Sequence, residues 1–335
     1  MPIVSATPRL VSVIIPVYNR FELAHQTIES VFSQDYRPIE VIIVDDCSDS
    51  LFNLESIVPP SEISIQIIHL TNNVGPGAAR EAGRLQAHGE FICYLDSDDL
   101  CSKEKIRRQV ETLSASPETG MCYCVTREFK DTPFDENGSI RIRSDQNFPN
   151  FLPTVLYGRP WSTSACMWRR WATDRIGSWF PGRVWEDYEY DCRAGCDDIP
   201  IIFLPEVLCY YRCRETKGDP SLNEIRQKKL FQTPSLIQMA QNLDRFGKFE
   251  DPIIYKRLTS LLYSTGLWLI IVNENGAGHQ CLNQILHISK TNWGMKIWLR
   301  LVSIAQKLLH TNLPARLARR LDRFVGSRVI PRRFV

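Results

Sequence analysis

The first hundred residues alternate two hydrophobic patterns. Apolar, β-branched runs at Val11 to Val17, Glu40 to Val44, Ile63 to Leu70 and Phe91 to Leu95 predict strands. Between them, Phe21 to Gln34 places Leu23, Thr27, Ile28, Val31 and Phe32 near helical spacing, and Gly77 to His88 reads as a small-residue-rich helix opened by Pro76 and Gly77. Ser102 is placed to cap a further helix running to about Ala115. Continuous apolar strands separated by helices predict an α/β domain with a Rossmann-like, mostly parallel sheet covered by helices on both faces. Asp131 to Pro153 is polar, has no period and reads as a long loop. Trp161 to Trp171 reads as a strand, and Gly177 to Ala194 carries a dense aromatic and acidic cluster. Ile201 to Tyr211 is a strand with Pro205 inside it, which predicts an irregular or edge position. From about Asn223 the pattern is helical. The expected organisation is an α/β domain over 1–220, with halves at 10–115 and 116–220, and a C-terminal helical region over 221–335.

Each of the first four strands runs into polar residues: Tyr18-Asn19, Asp45-Asp46, Asn72-Asn73 and Asp96-Ser97-Asp98-Asp99. Open α/β sheets bind ligands beyond the carboxyl ends of their strands. Asp46, Asn73, Asp96 and Asp98 should therefore converge on one crevice. Any one of these acids alone reads as a solvated turn or helix cap; four strand ends ending alike point to a site. Two carboxylates one residue apart suit Mg²⁺ or Mn²⁺, with phosphate oxygens completing the shell. A diphosphate is the natural third party, and the cation would neutralise it as it leaves. Neither G-x-G-x-x-G nor G-x-x-x-x-G-K-[ST] follows the first strand, which argues against dinucleotide binding and against a P-loop nucleotidase. Asn73-Val74-Gly75-Pro76-Gly77 is glycine-rich, lacks the lysine and leads to Arg80. Arg80 can reach a base, ribose or phosphate; its plainer reading is a surface ion pair.

These strand ends carry a resemblance. Val11-Ser12-Val13-Ile14-Ile15-Pro16-Val17-Tyr18-Asn19 resembles the opening strand of the family 2 glycosyltransferases, inverting enzymes of the GT-A fold. The same family pattern continues in Val44-Asp45-Asp46-Cys47-Ser48-Asp49, Asn73 to Arg80, and Leu95-Asp96-Ser97-Asp98-Asp99. Trp185-Glu186-Asp187-Tyr188-Glu189 resembles the family's acceptor-side Glu-Asp motif, and Leu204 to Leu208 with Tyr211-Arg212 resembles the closing strand of its catalytic domain. The resemblance spans residues 10 to 215, with the motifs in order. It implies that Pro16, Tyr18, Asn19 and Glu22 line the nucleoside site and that Asp46 bonds the base. It further implies that Asn73, Arg80 and Ser97 help hold the donor, that Asp96 sits near the ribose and metal, and that Asp98 ligates the metal. Asp187 would be the general base, with Glu186 beside it and Trp185 and Tyr188 as sugar platforms or core. A positioned carboxylate suffices to take the proton of an attacking hydroxyl, and a single base opposite the leaving group gives inversion. Many relatives carry a His soon after the Tyr-Arg pair. Here Cys213 and Arg214 follow, so Arg212 or Arg214 is the candidate for the diphosphate. The Gln-x-x-Arg-Trp signature of processive synthases is missing, which favours transfer of one or a few sugars. The implied donor is a nucleotide-sugar, by default a UDP-sugar, and the implied acceptor a glycan or lipid-linked sugar of bacterial polysaccharide synthesis.

Composition adds three points. In 335 residues, 44% are hydrophobic and 23% charged, enough for a packed core. The 11 Cys, with no long apolar run in Met1 to Leu10, lead to the expectation of reduced thiols and a cytoplasmic protein. The Cys192/Cys196 and Cys209/Cys213 pairs read as buried hydrophobes rather than zinc ligands. Charge is uneven: Lys290 to Val335 holds 11 Lys/Arg against one acid, Asp322, while the rest is acidic overall. Leu313, Leu317, Leu321, Phe324 and Val325 fall on one helical face and Arg316, Arg319, Arg320 and Arg323 on the other. Such a helix suits an anionic membrane surface, placing the protein peripherally on the cytoplasmic face; a docked helix with a solvated Arg face is the alternative. No nucleic-acid-binding motif accompanies the charge, so nucleic acid is not an expected partner. A catalytically silent GT-A-fold scaffold at the membrane is the competing function.

Overall fold

The structure is a computed structural model, and residues 6–54, 58–130, 132, 134, 137–213 and 220–288 are described. The chain divides into two compact units. The first comprises Met1–Thr154, Arg159–Pro181 and Asp197–Glu215, and the second Val155–Gly158, Gly182–Cys196 and Thr216–Val335.

The elements in chain order are β1 (Thr7–Val17), α1 (Phe21–Phe32), β2 (Ile39–Asp45), β3 (Ile63–His69), α2 (Pro76–Gln86), β4 (Gly89–Tyr94), β5 (Leu100–Cys101), α3 (Lys105–Ala115), β6 (Met121–Phe129), β7 (Cys166–Arg169), α4 (Arg170–Ile176), α5 (Glu186–Cys196), β8 (Ile201–Arg212), α6 (Leu222–Arg245), α7 (Pro252–Ile271) and α8 (Asn275–His287). The eight strands form one sheet in the order β3-β2-β1-β4-β7-β6-β8-β5. From β3 to β4 the pairing is parallel. Beyond β4, β7 runs antiparallel to both β4 and β6, β8 runs parallel to β6, and β5 closes the edge antiparallel to β8.

Strand β1 shows why the early pattern lacks alternation. Val13, Ile15 and Val17 pack in one cluster with Ala24, Ile28 and Val31 of α1. Ile14, on the other face, meets α2: a Cβ built on Gly83 would lie 2.4 Å from its Cγ2. From Val11 to Val17 both faces are covered, so every position there is apolar apart from the buried Ser12.

The later chain departs from the sequence reading at definite points. Met121–Phe129 is a buried strand that the periodicity does not announce, because its inner residues include Cys122 and Cys124 rather than β-branched side chains. Of Trp161 to Trp171, only Cys166–Arg169 is strand; a 3₁₀ turn precedes it and α4 follows at once. Ser102 does not cap α3. Its Oγ bonds no N–H of the first turn, and that turn is capped from beyond α1, where Gln34 Oε1 accepts the Ile106 N–H at 3.0 Å. Pro205 does make β8 irregular: the register with β6 shifts between Cys124 and Thr126.

In the second unit, α5 packs on α6, and α7 pairs with α8. The α6 start is a capping box of Ser221 and Glu224, and Asp251 caps α7. Small residues let α7 and α8 approach closely: a Cβ on Gly266 would lie 2.9 Å from Gly278 O. No described helix is long and apolar enough to cross a membrane. The basic segment from Leu313 onward lies outside the described residues, as does Arg214.

Candidate active site

In the first unit, the carboxyl ends of β1, β2 and β4 and the loop after β3 bring most of the candidate residues together. The end of β1 is bolted to the loop after β2. Asn19 N–H donates to Ser48 Oγ at 2.9 Å, Asn19 Oδ1 accepts the Asp49 N–H at 3.0 Å, and Asn19 Nδ2 donates to Asp49 Oδ2 at 3.1 Å. These bonds hold two successive non-glycine residues at positive φ, Asn19 at 47° and Arg20 at 115°. Pro16 is half-buried inside β1, while Tyr18 and, on the first turn of α1, Glu22 are exposed.

At the end of β2 both acids are buried. Asp46 accepts the Val74 N–H at 2.7 Å and the Gly75 N–H at 2.9 Å, one on each oxygen, and Asn73 Nδ2 donates to its carbonyl at 3.2 Å. Each oxygen keeps a second lone pair able to accept a further hydrogen bond. Asp45 accepts from Ser48 N, Phe52 N and His69 Nδ1. Burial pushes its carboxyl up, and these hydrogen bonds outweigh burial and hold it below the ordinary aspartate value.

The loop after β4 holds three acids in four residues. Asp96 accepts from Arg80 Nη2 at 2.6 Å. Arg80 is buried on α2 and its guanidinium lies 4.9 Å over the Trp179 ring. Ser97 is half-buried between them in sequence. Asp98 pairs with Arg20 Nη1 at 3.5 Å. Asp99 is fully buried and accepts from Ser164 Oγ at 2.7 Å and from the Arg212 N–H at 3.2 Å. Burial first, then repulsion from Asp96 and Asp98, raises its carboxyl well above the ordinary range. Arg212 braces the same loop: its Nε donates to Asp98 O at 3.0 Å and its Nη2 to Gln26 Oε1 at 2.7 Å, with the head over the Phe129 ring. Arg212 is therefore engaged in holding the acid loop. Arg20, Asp99, Ser164 and Gln26 are the residues the sequence reading did not single out. Asp99 stood inside the quoted acidic run, and Arg20 directly follows Asn19; Ser164 and Gln26 carry no local signal.

In the second unit, Trp185, Glu186, Asp187 and Tyr188 form the start of α5. Trp185 has φ 65° and its ring stacks on Tyr188 at 4.9 Å. Asp187 Oδ1 accepts the Tyr188 N–H at 2.8 Å, at a helix end that favours negative charge. Glu186 is buried. Below them Glu189 is held by both Arg193 and Asn242. Among the described residues, no group of three or more His, Cys, Asp or Glu side chains is arranged to hold a metal by itself.

The parallel strands β1 to β4, with acids and a buried arginine at their carboxyl ends, form an α/β sheet of the kind that binds ligands beyond its strand ends. The family model for glycosyl transferase family 2 matches residues 12–179, and the chain belongs to that family. It is 46% identical over 102 residues to an uncharacterized glycosyltransferase of Rickettsia felis, covering 30% of this chain and 17% of that one. It is 36% identical over 107 residues to the succinoglycan biosynthesis protein ExoO of Rhizobium meliloti, covering 32% of this chain and 30% of that one. The chain thus matches less than a third of the length of either relative. Among solved structures, it superposes on S. aureus TarS 1–349 in complex with UDP-GlcNAc with a TM-score of 0.60, 20% identity, and coverage of 96% of this chain and 90% of that one. The mannosyltransferase PcManGT of Pyrobaculum calidifontis, in complex with GDP-Man and Mn²⁺, gives 0.51 at 17% identity, covering 95% and 85%. These likenesses establish the GT-A fold, with C-terminal helices following it.

Proposed function

We propose that the protein is an inverting glycosyltransferase that moves a hexosyl or N-acetylhexosaminyl group from a UDP-sugar to a hydroxyl of a glycan or lipid-linked acceptor, in cell-surface polysaccharide or glycolipid synthesis. The observation that carries this reading is the acid loop after β4, where Asp96 is tied to the buried Arg80 and Asp98 presents a partly exposed carboxylate beside it.

Within it, Asp46 and the Asn73–Gly75 backbone form the floor on which the base rests, with Pro16, Tyr18, Asn19 and Glu22 along its rim. Arg80 holds Asp96 towards the ribose. The hard carboxylate oxygens of Asp96 and Asp98 fit Mn²⁺ or Mg²⁺, and two protein carboxylates leave room for phosphate oxygens in the shell. Bound there, the cation supplies Lewis-acid neutralisation of the leaving diphosphate. Arg212 keeps Asp98 in place through its carbonyl. Asp187 accepts the acceptor's proton, and the Trp185–Tyr188 stack offers an apolar face to a sugar ring. The relation of ExoO to succinoglycan synthesis supports a polysaccharide setting. The basic amphipathic C-terminal segment supports a seat on the anionic cytoplasmic membrane face.

Calorimetric titration of the full chain with UDP tests this reading. In Mn²⁺, binding of about micromolar to millimolar affinity is expected, lost in EDTA and in Asp98→Ala. UDP binding that is unchanged by EDTA and by Asp98→Ala would refute the donor-site assignment. Stronger binding of GDP or dTDP would replace uridine as the base.

A further inference from the structure

The two partly exposed acids of the loop are each met by an arginine head, and these two arginines are held very differently. Arg80 sits on α2 with its side chain 5% exposed, 2.6 Å from Asp96 and against the Trp179 ring. Arg20 sits at the N-cap of α1 with its side chain 46% exposed, 3.5 Å from an Asp98 side chain that is 17% exposed. Its backbone, at φ 115° and ψ 44°, is one that only a locked loop retains. That lock is the Asn19 bonding to Ser48 and Asp49. The loop thus holds, on a strained backbone, a long, solvent-wetted cation beside one of the two carboxylates expected to bind metal.

We propose that Arg20 is a displaceable counter-cation: it neutralises Asp98 when no donor is present, and transfers to the donor's diphosphate when a divalent cation takes that carboxylate. The inference rests on the donor-site reading above and adds a residue to it. A guanidinium is suited to both partners, since carboxylate and phosphate present the same fork of oxygens. An exposed pair at this separation is weak enough to exchange, whereas the buried Arg80 pair is not placed to do so. Without Arg20, Asp98 would lose a positive charge that offsets its repulsion from Asp96 and Asp99, so a metal would bind it more readily before the donor arrives. With Arg20, cation and diphosphate are coupled, because each removes a cost from the other's binding.

The test separates metal from nucleotide. Mn²⁺ binding to the full chain is followed by the loss of the free-ion electron paramagnetic resonance signal, without nucleotide and then with saturating UDP. Arg20→Ala is expected to bind Mn²⁺ alone about two- to fivefold more tightly than the wild type, and UDP with Mn²⁺ several-fold more weakly. Arg20→Lys should lie between the two, because it keeps the charge and loses the fork. Melting curves of both variants should overlay the wild type, since the side chain is exposed. Unchanged or weaker Mn²⁺ binding by Arg20→Ala, in a protein whose wild type binds Mn²⁺ and UDP together, overturns the counter-cation role and leaves the donor site standing. A wild type that binds no Mn²⁺ even with UDP overturns the donor-site reading and this inference with it.

Discussion

Two acidic clusters flank the central strand β1, one at the end of β2 and one after β4, and they are neutralised by different means. Asp45 and Asp46 are buried and accept mostly backbone N–H groups, from Ser48 and Phe52 and from Val74 and Gly75. Asp96 and Asp98 are met by arginine side chains, and Asp99 by one hydroxyl and one N–H. A backbone donor cannot leave without unfolding its loop. A side-chain donor can swing away and return. The first cluster therefore has the character of a framework that fixes where a ligand rests, and the second that of a set of charges able to change partners during a reaction.

The contrast breaks if activity and stability respond to the wrong cluster. The largest effect is expected at Asp98→Ala. Losing a ligand to a catalytic cation costs several kcal/mol at the transition state, so sugar transfer should fall by about three orders of magnitude or more, while the melting temperature stays within about a degree. A large drop in melting temperature would assign Asp98 to the framework instead. Asp46→Ala should weaken nucleotide binding and, unlike Asp98→Ala, lower stability as well. It leaves the N–H groups of Val74 and Gly75 without their acceptor, at a cost of about 1–3 kcal/mol, read as a fall of a few degrees in melting temperature. A variant of wild-type stability would show that this loop stands without the carboxylate. The smallest effect belongs to Asp45→Asn, which should cost about 1 kcal/mol at neutral pH. Because the folded carboxyl titrates below the ordinary value of 3.8, its contribution is present above that value and lost as pH falls through the lower folded one. The difference in denaturant midpoint between wild type and Asp45→Asn should accordingly be full at pH 7 and close below pH 4; a gap that persists in acid would mean that the charge of Asp45 plays no part.

What the sequence disclosed follows the same division. The strands β1, β2 and β4 are legible because their inner positions are buried on both faces and apolar, and the edge strand β3 because of its run of isoleucines; the polar ends are legible because such residues directly after such a run have few local explanations. The second half of the sheet is written in weaker signals. Strand β6 hides its core positions in cysteines, β7 is four residues long, and α4 begins at the residue after it. The cap of α3 could not be read locally, since Gln34 supplies it from 72 residues away. Arg212 illustrates the same limit: its residue type suits a diphosphate, but only the fold reveals that its guanidinium is bound to Asp98 O and Gln26.

Helix α2 carries a last consequence. Gly83 lies three residues after Arg80, so the two share a helix face. A methyl group at Gly83 would collide with Ile14 and press on Val44 Cγ2, 3.2 Å away. The bare backbone there acts as a spacer of zero thickness, setting how low the helix rides over the sheet and hence how far the Arg80 side chain extends towards Asp96. A thicker residue at 83 would lift the whole lever. It would surface in an assay as poor grip on a nucleotide that residue 83 never touches.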